Sequence, residues 1–201
     1  MKTSIIIILG VLAMFLFVQA NVVKSSDKTE QQKYEVVEEF DGFEIRYYPE
    51  AVLASVFIPG DYRNSSGQGF RILAGYIFGG NHEKQNIAMT APVHMKEDNK
   101  GFYMSFVMPS QYDINSLPIP DNSEISIEKS VPAYTAAIRF GGYANDEKIE
   151  AHKALLAKHL KEHGIEFTEP FVYLGYNPPY QTVNRRNEVA VKIEYPMEKS
   201  L

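Results

Sequence analysis

Hydrophobic and polar positions along the chain change period several times, and each change marks an element. From Ile5 to Val18 every residue except Gly10 is apolar; the single cation Lys2 precedes the run, and Gln19-Ala20-Asn21 follow it. A short basic start, an apolar run and small residues before a polar stretch describe a secretory signal, with Val18 and Ala20 at the −3 and −1 positions of a cut before Asn21. The run falls short of the roughly 20 residues that a bilayer span needs, so a cleaved leader over 1–20 is expected, with an N-terminal anchor as the alternative. Residues 21–33 are mostly polar and read as a flexible spacer. One folded domain is expected over 34–196.

Within that domain the pattern appears twice. Phe43–Tyr48 and Ala51–Ile58 are β-rich runs stopped by Pro49 and Pro59. The period then shifts: Phe70, Leu73, Ala74 and Ile77 fall on one face of a helix over 67–79, which Gly79-Gly80 ends. Ile87–Met95 and Phe102–Met108 read as strands. About 82 residues further on the order returns, with strands at Ile125–Lys129 and Ala133–Phe140, a helix over 146–163, and strands at Phe171–Tyr176 and Glu188–Tyr195. The expected fold is α+β: two strand–strand–helix–strand–strand halves, linked through the Pro- and Asp-rich 111–123. They would form one curved sheet or distorted β-barrel flanked by two helices, with a ligand groove between a helix and the sheet.

Composition narrows the chemistry. The 201 residues contain no cysteine, which excludes disulfides, thiol catalysis and Cys-ligated metals. A net charge of −5 without a basic run argues against a nucleic-acid partner. There is no Gly-rich phosphate loop, no GxSxG and no HExxH. His152, His159 and His163 share the second helix, and His159 and His163 stand four residues apart, as two ligands of one metal can. They border an apolar face with no further ligand nearby, so surface histidines are expected. Arg185-Arg186-Asn187-Glu188 reads either as a hydrogen-bonded corner or as an anion clamp. Tyr173, Tyr176 and Tyr180 crowd FVYLGYNPPYQ, as packing or as the lining of a slot for a planar ligand.

Several strings, taken in order, resemble the SOUL heme-binding protein family. They are Tyr34-Glu35, FEIRYY (43–48), Tyr76-Ile77 with Asn81, MTAPV (89–93), Pro118-Ile119-Pro120, FGGY (140–143) with Ala151-His152, GYNPP (175–179) and RRNEV (185–189). The resemblance covers about Tyr34 to Tyr195. It implies a duplicated barrel with two helices and non-catalytic binding of heme or another tetrapyrrole. The porphyrin would lie in an apolar groove beside the first helix, against Phe70, Leu73, Ala74 and Ile77, with Tyr180 opposite. One branch of the family carries a proposed iron-ligating His where this chain has Tyr47, and Tyr can ligate ferric heme as phenolate. Another has a propionate-pairing Lys where this chain has Gln181; Arg63 and Arg71 are candidate substitutes. An exported (periplasmic or secreted) heme-binding protein is therefore expected. The alternatives are a module for another amphipathic ligand and, behind it, a hydrolase using the same groove.

Overall fold

The structure, a computed structural model, describes residues 2–60 and 62–195, but not the side chains of residues 2, 3, 5, 27 and 62–65. Among the described residues, three helices and eleven strands follow one another along the chain. These are α1 (Lys2–Asp27), β1 (Glu30–Gln31), β2 (Glu35–Glu39), β3 (Glu44–Tyr48), β4 (Val52–Pro59), α2 (Tyr62–Ile77), β5 (Thr90–Ala91), β6 (Val93–Asp98) and β7 (Gly101–Val107). After them come β8 (Ser126–Lys129), β9 (Ala133–Phe140), α3 (Asp146–Glu162), β10 (Phe167–Gly175) and β11 (Asn187–Ile193). The alternation that marks the strands also sets their two faces. In β11, Val189, Val191 and Ile193 enter the main core, while Glu188 and Ala190 point to the opposite side.

Nine strands form one sheet in the order β2-β3-β9-β11-β10-β6-β7-β4-β8. The two halves are β3-β4-α2-β6-β7 and β8-β9-α3-β10-β11. Exchanging them leaves the order from β3 to β8 reading the same backwards. Each leading strand crosses over: β3 pairs with β9 of the other half, and β8 with β4. The centre of this pseudo-two-fold is the antiparallel seam β6·β10, where Met95 faces Tyr173. The expected closure into a barrel is not found: the sheet is open, with β2 and β8 at its edges.

Both core helices pack on the same face of the sheet. α2 lies on β4 and β7, and α3 on β9, β10 and β11. The Gly69 position lets α2 come close, since a Cβ there would stand 3.2 Å from Ile58 and Met104. Beyond the last turn Gly79 adopts φ +98°, which a side chain disfavours. α3 starts where a cap predicts, with the Asn145 side chain accepting from Lys148 N at 2.9 Å and Asp146 and Glu147 in the first turn.

Two further features depart from expectation. Residues 21–33 are not an irregular spacer: α1 continues through Asp27, and β1 pairs in parallel with β5. The helical count rises to three because α1 docks onto the domain. The buried Gln19 amide donates to Tyr180 O and accepts from Thr182 N, at 3.3 and 2.9 Å.

Candidate functional site

Because α2 and α3 each cover their own half, the seam between them is left open on the helical face. A cavity of about 970 Å3 lies over it, within the range of small-molecule sites. Met95, Tyr173 and Met104 line it from the sheet, and Gly67 and Phe70 from α2. Met89 to Ala91 and Val93 line it before and along β6, and Gly175 to Tyr180 beyond β10. α1 supplies the remaining wall through Phe17, Val18, Asn21, Val22, Ser25 and Ser26. The surface is mostly apolar, with aromatic rings and two consecutive prolines where the loop turns, Gln181 N donating to Pro178 O at 3.1 Å.

The candidate residues divide. Phe70 and Tyr180 line this cavity together, and so do Tyr173 and Tyr176 of the aromatic string. Leu73 and Ile77 belong to the main core instead, at 0% and 1% exposure. Ala74 is half-buried and off the lining. The apolar stripe of α2 is used to bury the helix on the sheet, which leaves Phe70, packed on Phe106 with ring centroids 5.3 Å apart, as its contribution to the cavity. Tyr47 sits on β3, apart from the cavity, its ring 5.2 Å from that of Tyr134. The Arg63 side chain lies outside the described residues. Arg71 is exposed and off the lining. Gln181 is buried and holds the loop together, its amide donating to Val183 O and Asn184 O. Among the described residues no histidine lines the cavity.

Sequence reasoning named Arg185 without choosing between corner and clamp. Its guanidinium donates to the carbonyls of Asn177, Pro178 and Gln181, so it fixes the cavity loop. It also lies 4.5 Å above the ring of Tyr143. Its Nε is buried with no hydrogen-bond partner, and among the described residues no carboxylate neutralises it. An unpaired cation at the edge of an apolar slot fits a ligand whose acidic groups hang from a flat apolar body.

Behind the cavity, on the other face of the sheet, a charged cluster fixes Tyr176. The fully buried Glu188 carboxylate accepts from Arg46 Nη1 and Nη2 at 2.6 and 3.0 Å, from Arg186 Nε at 2.8 Å and from Tyr176 OH at 2.9 Å. Glu44 also pairs with Arg46, and the Tyr34 ring lies under the Arg46 guanidinium at 4.2 Å. Burial works against the Glu188 charge, but the Arg46 and Arg186 guanidiniums outweigh it and hold the carboxyl below the usual range. Burial, and then the Glu188 charge, push the Tyr176 phenol up, so it remains a protonated donor rather than a phenolate.

The helix histidines have their own contacts. His152 stacks on Phe140 with ring centroids 4.2 Å apart and donates from Nδ1 to Lys148 O. His159 stacks on Phe43, and His163 meets Phe40 edge-on.

A duplicated α+β half around a seam, with an open, mostly apolar cavity that Arg185 helps to line, has the features of a small-molecule site. The profile of the SOUL heme-binding protein family matches residues 29–192, and the chain belongs to that family. It is 31% identical to heme-binding protein 2 of Mus musculus over 156 residues, covering 73% of this chain and 76% of that protein. Heme-binding protein 2 of Homo sapiens is 32% identical over the same coverage. Among solved structures, the EcmrR C-terminal domain superposes with a TM-score of 0.59 at 10% identity, over 81% of this chain and 99% of that one, a likeness of fold alone.

Proposed function

We propose that this protein binds heme or a related tetrapyrrole, without catalysis, in the cavity over the β6·β10 seam. The observation that carries the reading is a mostly apolar cavity large enough for a macrocycle, lined in part by Arg185, which no carboxylate among the described residues neutralises, in a chain of this family. The apolar walls take the ring, at about 25 cal/mol for each Å2 of apolar surface withdrawn from water. Arg185 takes a propionate. Phe70 and Tyr180, from the expected set, flank the ligand; Leu73 and Ile77 support it from beneath. The iron is then open to solvent or meets a group of the cavity itself. Tyr47 is too far round the sheet to reach it. α1 carries the chain to or across a membrane, and a cut after Ala20 would remove Phe17 and Val18 from the cavity wall and Gln19 from its hydrogen bonds to Tyr180 and Thr182.

Hemin titration followed by visible absorption tests this. The parent should show a saturable shift. Arg185→Gln should raise Kd by about tenfold, the scale of one charge-assisted contact. Arg71→Gln, off the lining, should leave Kd unchanged. No saturable change in the parent, or equal Kd for Arg185→Gln, would reject the assignment.

A further inference from the structure

We infer that α1 is shared between the cavity and a lipid bilayer, and that drawing it into the bilayer opens the cavity at the membrane surface. The inference rests on the cavity being the ligand site and concerns the chain that retains α1. Its cavity-lining positions, Phe17, Val18, Asn21, Val22, Ser25 and Ser26, recur with the helical period and so share one face. That face is latched by polar groups. Gln19 exchanges hydrogen bonds with Tyr180 O and Thr182 N, and Ser26 Oγ donates to Gln181 Oε1 at 2.8 Å. A latch built from a buried amide and a hydroxyl gives a reversible contact, because both groups also find partners in water.

The same helix is a candidate span. Ile6–Ser26 is 21 residues long and contains an 18-residue window of mean hydropathy 2.5, of which 6% is buried. At about 1.5 Å per residue it measures about 31 Å, the thickness of a hydrocarbon core. The part outside the docked region, Ile6–Leu16, reaches only about 16 Å, roughly half of that core. A spanning α1 must therefore give up Phe17 to Ser26, and these residues wall the cavity. Docking and spanning exclude each other. The bilayer is the occupant of the exposed apolar face, since that face is continuous with the cavity wall and of span length. When α1 leaves, the exposed Tyr180 stands at the mouth, where an aromatic ring favours the lipid interface. The ligand class this arrangement serves is a flat amphipathic molecule dissolved in the membrane. Such a molecule passes into the groove without crossing water, and redocking of α1 closes over it.

The chain has neither Trp nor Cys, so reporters are clean. Full-length Phe17→Trp in phosphatidylcholine nanodiscs should be quenched by lipid brominated in its acyl chains. Val22→Trp, on the same face, repeats the measurement if the first variant unfolds. Adding Gln19→Cys and Thr182→Cys and bridging them with a short bismaleimide should abolish that quenching. The bridge should also slow hemin uptake from hemin-loaded nanodiscs about tenfold, as a closed access route does. Failure of the bridge to form, quenching that persists once bridged, or equal uptake rates overturns the inference. So does a concentration-dependent dimer without lipid quenching, which would give the apolar face to a second copy. If no form takes up hemin, the ligand reading fails, while the quenching still decides where α1 resides.

Discussion

Replacing Glu188 with Gln keeps the side-chain volume and removes one charge, so it isolates the electrostatic work of the buried cluster. Arg46 is 2% exposed and its partner 0%. In the parent, one carboxylate receives four donors from three residues. The amide offers one oxygen, and its NH2 end faces guanidinium N–H groups that have nothing to give it. Breaking a buried pair from one side costs about 3–5 kcal/mol. Glu44 still pairs with Arg46, which favours the lower end, about 3 kcal/mol. For a domain of this size each kcal/mol moves Tm by about 2–4 °C, so a fall of about 6–12 °C is expected. Chemical denaturation should show a lower midpoint at an unchanged slope. The exposed pair Lys129–Glu50 is the control: Glu50→Gln should leave the denaturation midpoint essentially unchanged. Hemin affinity should fall as well, because Tyr176 loses the acceptor that orients its ring along the cavity. A Glu188→Gln midpoint that costs less than about 1 kcal/mol would refute the reasoning; Arg46 would then be neutralised by Glu44 alone.

Two other predictions follow from titratable groups. Desolvation pushes His94 down to about 4 from 6.5, with Nε2 2.8 Å from Gln32 Oε1. The unfolded chain then binds the extra proton first, so stability should be full above 6.5 and fall as pH drops from 6.5 to about 4. His94→Gln should flatten that stretch of the melting-temperature profile; an unchanged profile would show that another group titrates there. The Glu188 contribution has the opposite charge type but the same sign, since its folded pKa is lowered: it is present above 4.5 and lost below. On α3, the ring contacts of His152, His159 and His163 lead us to expect no zinc site. A melting temperature that climbs in micromolar zinc and loses that rise in His159→Ala would contradict this.

The elements were legible because their signals are local. β9 falls at Ala133–Phe140 as the alternation predicts, and α3 begins beside its Asn145 cap. The swap of β3 and β8 between halves was not, since strand pairing across the fold leaves no mark on nearby sequence. The α2 stripe shows the limit of periodicity most clearly. A 3.6-residue apolar period says that Leu73 and Ile77 are buried, and does not say whether protein or ligand covers them. Here the sheet does. Tyr47 shows a similar limit, because a shared position in a string does not fix what stands opposite it once the strand is paired with β9. Arg185 could be read as corner or clamp from its neighbours alone. In the structure it is a corner that also lines the cavity, and that placement gives the clamp reading its footing.

Duplication raises a question that the seam answers. A pseudo-two-fold through β6 and β10 offers two clefts over one floor, since Met95 and Tyr173 line both the large cavity and a smaller one of about 240 Å3 against α3. The smaller cleft is narrowed by Lys153, which is buried and ion-paired with Glu97 and Glu150 at 2.7 and 2.6 Å. A long cation held between two carboxylates fills space that a ring would need, and displacing it would strand charge in a poorly solvated site. On the α2 side, Ser66 and Gly67 occupy the lining where bulk would close it, and α1 adds a wall that the second half has no copy of. Symmetry of backbone thus supplies the floor twice, and asymmetry of side chains leaves a large cleft on one side only. Filling the large cleft from α2 by Gly67→Phe should abolish hemin binding, while Lys153→Met should leave it on the α2 side. Transfer of binding to the α3 cleft in the latter variant would show that ion pairing, rather than α1, decides which half is used.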